Sequence, residues 1–171
     1  MENNIYNAPD SNLTHDVDVE DELASRWNRL AASIIDGLTI MPFTLTLMYF
    51  TGGFDGITSG KQPSILYTFG IALVGVLVFV IIHGKLLISS GQTLGKKLLE
   101  IRIVKMDGGP VDMPALLKRY GFYWFFPQIP IAGPFINLVN ILFIFSQSKR
   151  CVHDLVGGTK VIKALAGSPA R

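Results

Sequence analysis

Residues 30–50 run for 21 positions with a single charge among them, Asp36. At about 1.5 Å of rise per residue, a helix of that length spans a hydrocarbon core of roughly 30 Å. This predicts a first transmembrane helix, with Pro42 as the place where it would kink. Residues 64–82 form a second span, free of charge and rich in Val, Ile, Leu and Phe, ending at His83 and Lys85, where a long side chain can reach the interface. Gly52, Gly53, Gly56 and Gly60 lie between the two and mark a loop. Of the 171 residues, 49% are hydrophobic and only 16% charged, and the mean hydropathy is +0.40. Such a chain lacks the polar side chains to cover a water-soluble surface. One domain is expected, held by packing and satisfied backbone groups within a bilayer.

The charges are unevenly placed. Residues 1–25 carry seven acids and no Lys or Arg, without the basic start and apolar run of a cleaved leader. Residues 1–22 therefore read as a disordered acidic tail, residues 23–165 as the membrane domain and residues 166–171 as a flexible end. Residues 91–100 are too short and too charged to span; Leu94 and Leu98, one turn apart beside Lys96 and Lys97, suggest a short interfacial helix. Residues 101–106 read as a strand ahead of the Asp107-Gly108-Gly109 turn, and residues 158–163 as a second strand able to pair with it outside the lipid.

A third apolar region, residues 120–145, has no charge over 26 positions but carries Pro127, Pro130, Gly133 and Pro134 in its middle. It either crosses once with a broken centre or enters and returns as a hairpin. The segment from His83 to Arg119 holds seven Lys and Arg residues, whereas the loop between the first two helices holds Lys61 against Asp55. The positive-inside rule makes the basic segment cytoplasmic. Lys149, Arg150, Lys160 and Lys163 follow the third region, and a hairpin keeps them on that same side. This favours four apolar segments, the last two short, with Lys118 and Arg119 snorkelling at the start of the third. Trp27, Tyr49, Tyr120, Tyr123 and Trp124 fall at segment ends, as interfacial anchors do.

An ionisable group inside a helical span costs about 2.5–3.5 kcal/mol on insertion scales, so Asp36 needs a companion. Arg29 lies seven residues earlier, within about 20° of the same helix face, yet about 10 Å away along the axis, too far for a direct pair. His153-Asp154, beside Lys149-Arg150 and ahead of Gly157-Gly158, is the polar group elsewhere that can come between them.

Together these segments resemble the RDD membrane proteins, named for one arginine and two aspartates. The resemblance covers roughly residues 24–163. It is carried by Arg29 and Asp36 in residues 24–37, by Gly91-Gln92-Thr93-Leu94-Gly95-Lys96-Lys97, by Ile101-Arg102-Ile103-Val104 with the following Asp107-Gly108, and by His153-Asp154-Leu155-Val156-Gly157-Gly158-Thr159. Glu100 departs from the small residue that many relatives carry there. The resemblance implies a bacterial inner-membrane protein of largely unassigned activity, and the apolar runs and charge distribution make it multi-pass with cytoplasmic termini. Arg29, Asp36 and Asp154 then match the name-giving residues. Some relatives are described as cation/proton antiporters, which makes monovalent cations and protons candidate ligands.

Two readings of the network stay open. Two carboxylates with one guanidinium leave one negative charge, which a proton or a monovalent cation would balance, oxygen being the ligand hard cations prefer. Alternatively the three residues form a buried clasp between the first helix and the C-terminal segment, since intramembrane charges usually face protein and pair. Four short segments are too few to enclose a pathway, so transport would demand a homo-oligomer. His153, like His83, is a candidate proton relay or a satisfied interfacial histidine. Asn137 and Asn140 read as helix-packing glue, and the basic residues from Lys85 to Arg119 as either orientation signal or anionic-lipid contact.

Other chemistries find little here. Gly91–Lys97 lacks the glycine spacing of a phosphate loop, and Lys97 stands where Ser or Thr would hold magnesium. Cys151 stands alone, without the ligand cluster of a zinc site. There is no nucleophile elbow and no dinucleotide fingerprint, so no enzyme, no cofactor, no metal and no nucleic-acid partner is expected. The expected fold is an all-α membrane bundle of three to four segments, with a short interfacial helix and a two-stranded cytoplasmic β pairing.

Overall fold

A computed structural model describes residues 22–61, 63–129 and 131–164. Residues 1–21 of the expected tail 1–22, and the whole expected end 166–171, lie outside the described residues. Two long helices dominate, α1 (Arg26–Phe50) and α3 (Ile65–Ser90), joined through the one-turn α2 (Asp55–Thr58). Both are longer than the uncharged runs suggested. α1 begins at Ser25, whose hydroxyl accepts the Trp27 amide, and continues through Pro42. α3 begins at Ser64 and ends at Gly91, which takes a left-handed conformation with φ of 66°. They pack antiparallel: Thr39 meets His83 near one end, and Thr51 meets Tyr67 near the other.

At the Arg26 end of this pair sits a small cap. After α4 (Leu94–Leu98) comes β1 (Ile101–Lys105), and α7 (Val152–Gly157) leads into β2 (Thr159–Lys163). The strands pair antiparallel, Ile101 opposite Lys163 and Ile103 opposite Val161, as the sequence suggested. Both ribbon edges are covered. The Ala24 amide bonds the Val161 carbonyl and Lys163 bonds the Glu22 carbonyl, while the Ile103 amide bonds Gly91 on the other side. Glu22, placed in the tail by its acidic neighbours, thus lies along β2, its carboxylate 2.6 Å from Lys163 Nζ. Ile101, Ile103, Val161 and Ala24 are almost wholly buried in the cap.

The long helices are the reverse. Only 11% of the most apolar stretch of each is buried, with a mean hydropathy of 2.8 in α3. A core helix of a water-soluble domain would be mostly covered. Leu66, Leu73, Ile81 and Phe50 instead face outward, so these helices are built for a lipid surface.

The third apolar region breaks where its prolines are. α5 (Met113–Phe125) is followed by a short turn of 3-10 helix, Phe126–Gln128, then by α6 (Ala132–Leu142) and a second such turn, Phe143–Phe145. Its two ends meet at the cap: Arg119 and Asn140 both reach α7, and Arg26 bonds the carbonyls of Ile144 and Ser146. Both ends of the region therefore lie on the cap side. α5 starts at Met113, seven residues before the uncharged run, capped by Asp112, whose carboxylate accepts the Ala115 amide. Tyr120 is accordingly not at a segment end, and neither Tyr120 nor Trp124 faces outward as an anchor would. Their rings pack against Phe79 of α3 at 5.0 and 5.9 Å, inside the bundle. Trp27 and Tyr49 are exposed near the two ends of α1, as anchors would be.

Candidate functional site

Asp154 occupies the first turn of α7, where its Oδ2 accepts the Cys151 amide at 2.8 Å and closes a capping box. The side chain is completely buried. Arg29 from α1 donates to Oδ2, and Arg119 from α5 donates to Oδ1. Arg119 also reaches Thr159 Oγ1 at 2.8 Å, and Arg29 bonds the Lys149 carbonyl. One carboxylate thus ties α1, α5, α7 and the start of β2 together. Gly157 lets α7 come this close to α5, because a Cβ there would stand 2.9 Å from Arg119 Cβ.

Asp36 lies deeper in α1 and is answered by different groups. Oδ1 accepts the Gly95 amide at 2.8 Å, Oδ2 accepts the Thr93 hydroxyl at 2.5 Å, and Lys96 Nζ stands 3.6 Å from Oδ2. All three donors come from the N-cap and first turn of α4. The run that superficially suggested a phosphate loop does grip an anion, and that anion is a side chain of the same protein. Gly95 is required by proximity: a Cβ on it would lie 2.2 Å from the Ala32 carbonyl oxygen. The buried side of α4 is therefore Gly95 and Lys96, whereas Leu98, expected on an apolar face, is exposed.

The structure thus does not join Arg29, Asp36 and Asp154 in one network. Arg29 meets Asp154; Asp36 has its own partners. The charge balance changes with the geometry, because Arg29, Arg119 and Lys96 supply three cations against two carboxylates. The excess negative charge expected from the sequence is absent from this site.

The two histidines among the described residues are satisfied. His83 Nδ1 accepts the Leu94 amide at 3.2 Å, so Nε2 carries the proton and donates to Thr39 Oγ1 at 3.1 Å, while Thr39 donates to the Asp36 carbonyl. The 4.0 Å approach of His83 Nδ1 to Asp36 Oδ1 is consequently no ion pair. His153 Nδ1 bonds Asn140 Oδ1 at 2.8 Å, and that same oxygen accepts the His153 amide. Burial, followed by the charges of Arg119, Arg29 and Lys96, pushes the His153 pKa well below the usual 6.5. The ring is neutral near pH 7, which does not suit a residue that must take up a proton there. Lys96 is pushed down to about 8 by burial, with Asp36 opposing and Arg119 and Arg29 reinforcing the shift.

The ligand atoms of Cys151, His153 and Asp154 lie within 4.8 Å of one another. They do not fit a metal ion. Both Asp154 oxygens are taken by guanidinium groups, Arg29 Nη2 stands 3.7 Å from the thiol, and burial raises the thiol pKa, disfavouring the thiolate a metal needs.

Arg119, Lys96 and Thr93 were not singled out as site residues. Arg119 had a legible signal, since Ala115, Leu116 and Arg119 share a face once the Asp112 cap and Pro114 set the start of α5. Thr93 is recognisable as the N-cap of α4, but nothing in the spacing of Lys96 and Lys97 distinguishes the buried lysine from the exposed one.

Two lipid-compatible helices, a covered polar cap and buried carboxylates each answered by cations of the same chain define a membrane protein. The chain belongs to the RDD family, whose model matches residues 23–158. It is similar to "Uncharacterized protein YckC" of Bacillus subtilis (strain 168), 30% identical over 144 residues that cover 84% of this chain and 87% of that protein. It is also similar to "Uncharacterized protein YxaI" of the same organism, 25% identical over 152 residues, with 81% and 96% covered. No solved structure matches the chain.

Proposed function

We propose that this is a multi-pass protein of the bacterial inner membrane, with its cap and both ends cytoplasmic, whose buried charges serve as clasps rather than as a transport site. α1 and α3 cross, and the α5–α6 hairpin enters from the cap side and returns to it. The observation that carries this reading is that each carboxylate is matched by cations of the same chain: Asp154 by Arg29 and Arg119, Asp36 by Lys96. The clasps fix the cap against the helices and present it as a scaffold for a partner or a second copy. The basic residues of the cap region favour the cytoplasmic side. No catalytic step is part of this reading.

Monovalent cation/proton exchange is a second reading, favoured by one observation. Lys96, with a pKa of about 8, holds a proton that a cation arriving at Asp36 would displace. Several copies would have to enclose the pathway.

Purified protein in liposomes separates the two. The clasp reading expects no proton movement against sodium, potassium or lithium gradients, and a lower yield of folded protein for Asp36→Asn. Cation-dependent proton flux that is lost in Asp36→Asn, with folding intact, would reject it.

A further inference from the structure

A cavity of about 670 Å³ lies between α1, α3, α5 and α6, beside the clasps and outside their hydrogen bonds. Its size falls within the roughly 300–1,000 Å³ typical of small-molecule sites. Its walls are mainly apolar, Ile40, Met41, Ile71 and Ala72 among them. Ile34, Leu38 and Phe145, which also line it, are more than half exposed, so the cavity opens on the surface that faces lipid.

The other end is polar and net positive. Arg26, Arg29, Lys96 and Arg119 line it against Asp36 alone, Asp154 lying behind the arginines. Arg29 and Arg119 are 6% and 3% exposed, and three buried cations, Arg29, Arg119 and Lys96, stand against two carboxylates, so one positive charge at this end has no counter-charge from the chain. A buried charge without a counter-charge is costly, and an anion at this end of the cavity balances it.

We infer that this cavity binds an anionic phospholipid, its phosphate at the Arg29–Arg119 end and one acyl chain along the apolar wall between α1 and α3. The depth agrees with this. Arg26 and Arg29 sit in the first turn of α1, where a headgroup phosphate lies, while Met41 is about 18 Å further along the axis at 1.5 Å per residue. A free inorganic anion would use the cationic end but leave the apolar wall empty. The inference rests on membrane placement and on neither the clasp nor the exchange reading.

Trp124 is a built-in reporter once Trp27→Phe removes the only other tryptophan. The full chain with that substitution is placed in vesicles of phosphatidylcholine with increasing fractions of phosphatidylglycerol brominated on its acyl chains. Brominated phosphatidylcholine serves as the comparison. Trp124 fluorescence should be quenched at a mole fraction at least fivefold lower for the anionic lipid. Millimolar inorganic phosphate in unbrominated vesicles should leave the fluorescence unchanged. Gly37→Leu fills the cavity from α1, where an added Cβ meets nothing within 4 Å, and should abolish the preference with the fold intact. Ala72→Leu does the same from α3 and serves if the first variant misfolds. Equal quenching by the two lipids, or an undiminished preference in the filled variants, would overturn the inference. The second outcome would mean that the basic cap merely gathers anionic lipid around the protein. A response to phosphate alone would replace the lipid with a free anion.

Discussion

The carboxylates of Asp154 and Asp36 are both buried, but they are held by different kinds of partner. Asp154 sits between two guanidinium groups from two helices and inside its own capping box. Asp36 is met by a backbone amide, a hydroxyl and one ammonium, all from a single turn. Arginine stays charged at any pH a protein meets, and its planar fork carries geometric information. Lysine can shed its proton when burial demands it. The first site is therefore a rigid joint among four elements. The second is a latch whose charge can be relieved.

The largest expected effect follows from that contrast. Asp154→Asn leaves two buried guanidiniums without a counter-charge, which by analogy with broken buried pairs costs about 3–5 kcal/mol. Asp36→Asn should cost less, because Lys96 can go neutral. Thermal unfolding of both variants in detergent measures the gap, and equal losses would break the comparison.

A smaller effect isolates the latch. Gly95→Ala puts a Cβ 2.2 Å from the Ala32 carbonyl, forcing α4 off α1 at a cost of about 1–3 kcal/mol, in the range of overpacked cores. Amine labelling at pH 8 should then reach Lys96 faster, while labelling of the already exposed Lys97 stays unchanged. An unaltered Lys96 rate would show that the turn does not control its burial.

The smallest effect concerns pH at the joint. His153 has a folded pKa well below 6.5, so below pH 6.5 the unfolded chain takes up a proton that the folded one refuses. Stability is therefore lost as pH falls from 6.5 toward the folded value, and is fully kept above 6.5. The midpoint of unfolding should drop less between pH 7 and 5 in His153→Gln than in the unmodified chain. Parallel curves would mean that the ring titrates equally in both states.

Much of the fold was legible because lipid imposes its own spacing. Long apolar runs with at most one charge marked α1 and α3, β-branched residues beside turn residues marked the ribbon, and prolines marked the break before α6. Helix ends were less visible where they extend past the apolar run into the cap, as at Arg26, Ser90 and Asp112. Reading the third region from Tyr120, where charge stops, hid the Asp112 cap and with it the buried face holding Arg119. The pairing of charges was the hardest to see. Helical spacing put Arg29 and Asp36 on one face and implied a shared partner, but tertiary packing brings Arg119 and Lys96 in from segments 83 and 60 residues further along than Asp36. No local period encodes that approach. Gly95, small enough for α4 to touch α1, permits the approach of Lys96, and Gly157 permits that of α7 to Arg119.

Two double-mutant cycles, read by thermal unfolding in detergent, test directly whether Asp36 is held by α4 instead of by Arg29. Asp36→Asn combined with Lys96→Met should show a coupling of about 0.5–3 kcal/mol, whereas Asp36→Asn combined with Arg29→Gln should be additive within about 0.5 kcal/mol. Coupling to Arg29 with none to Lys96 would contradict the division of the buried charges into two separate sites.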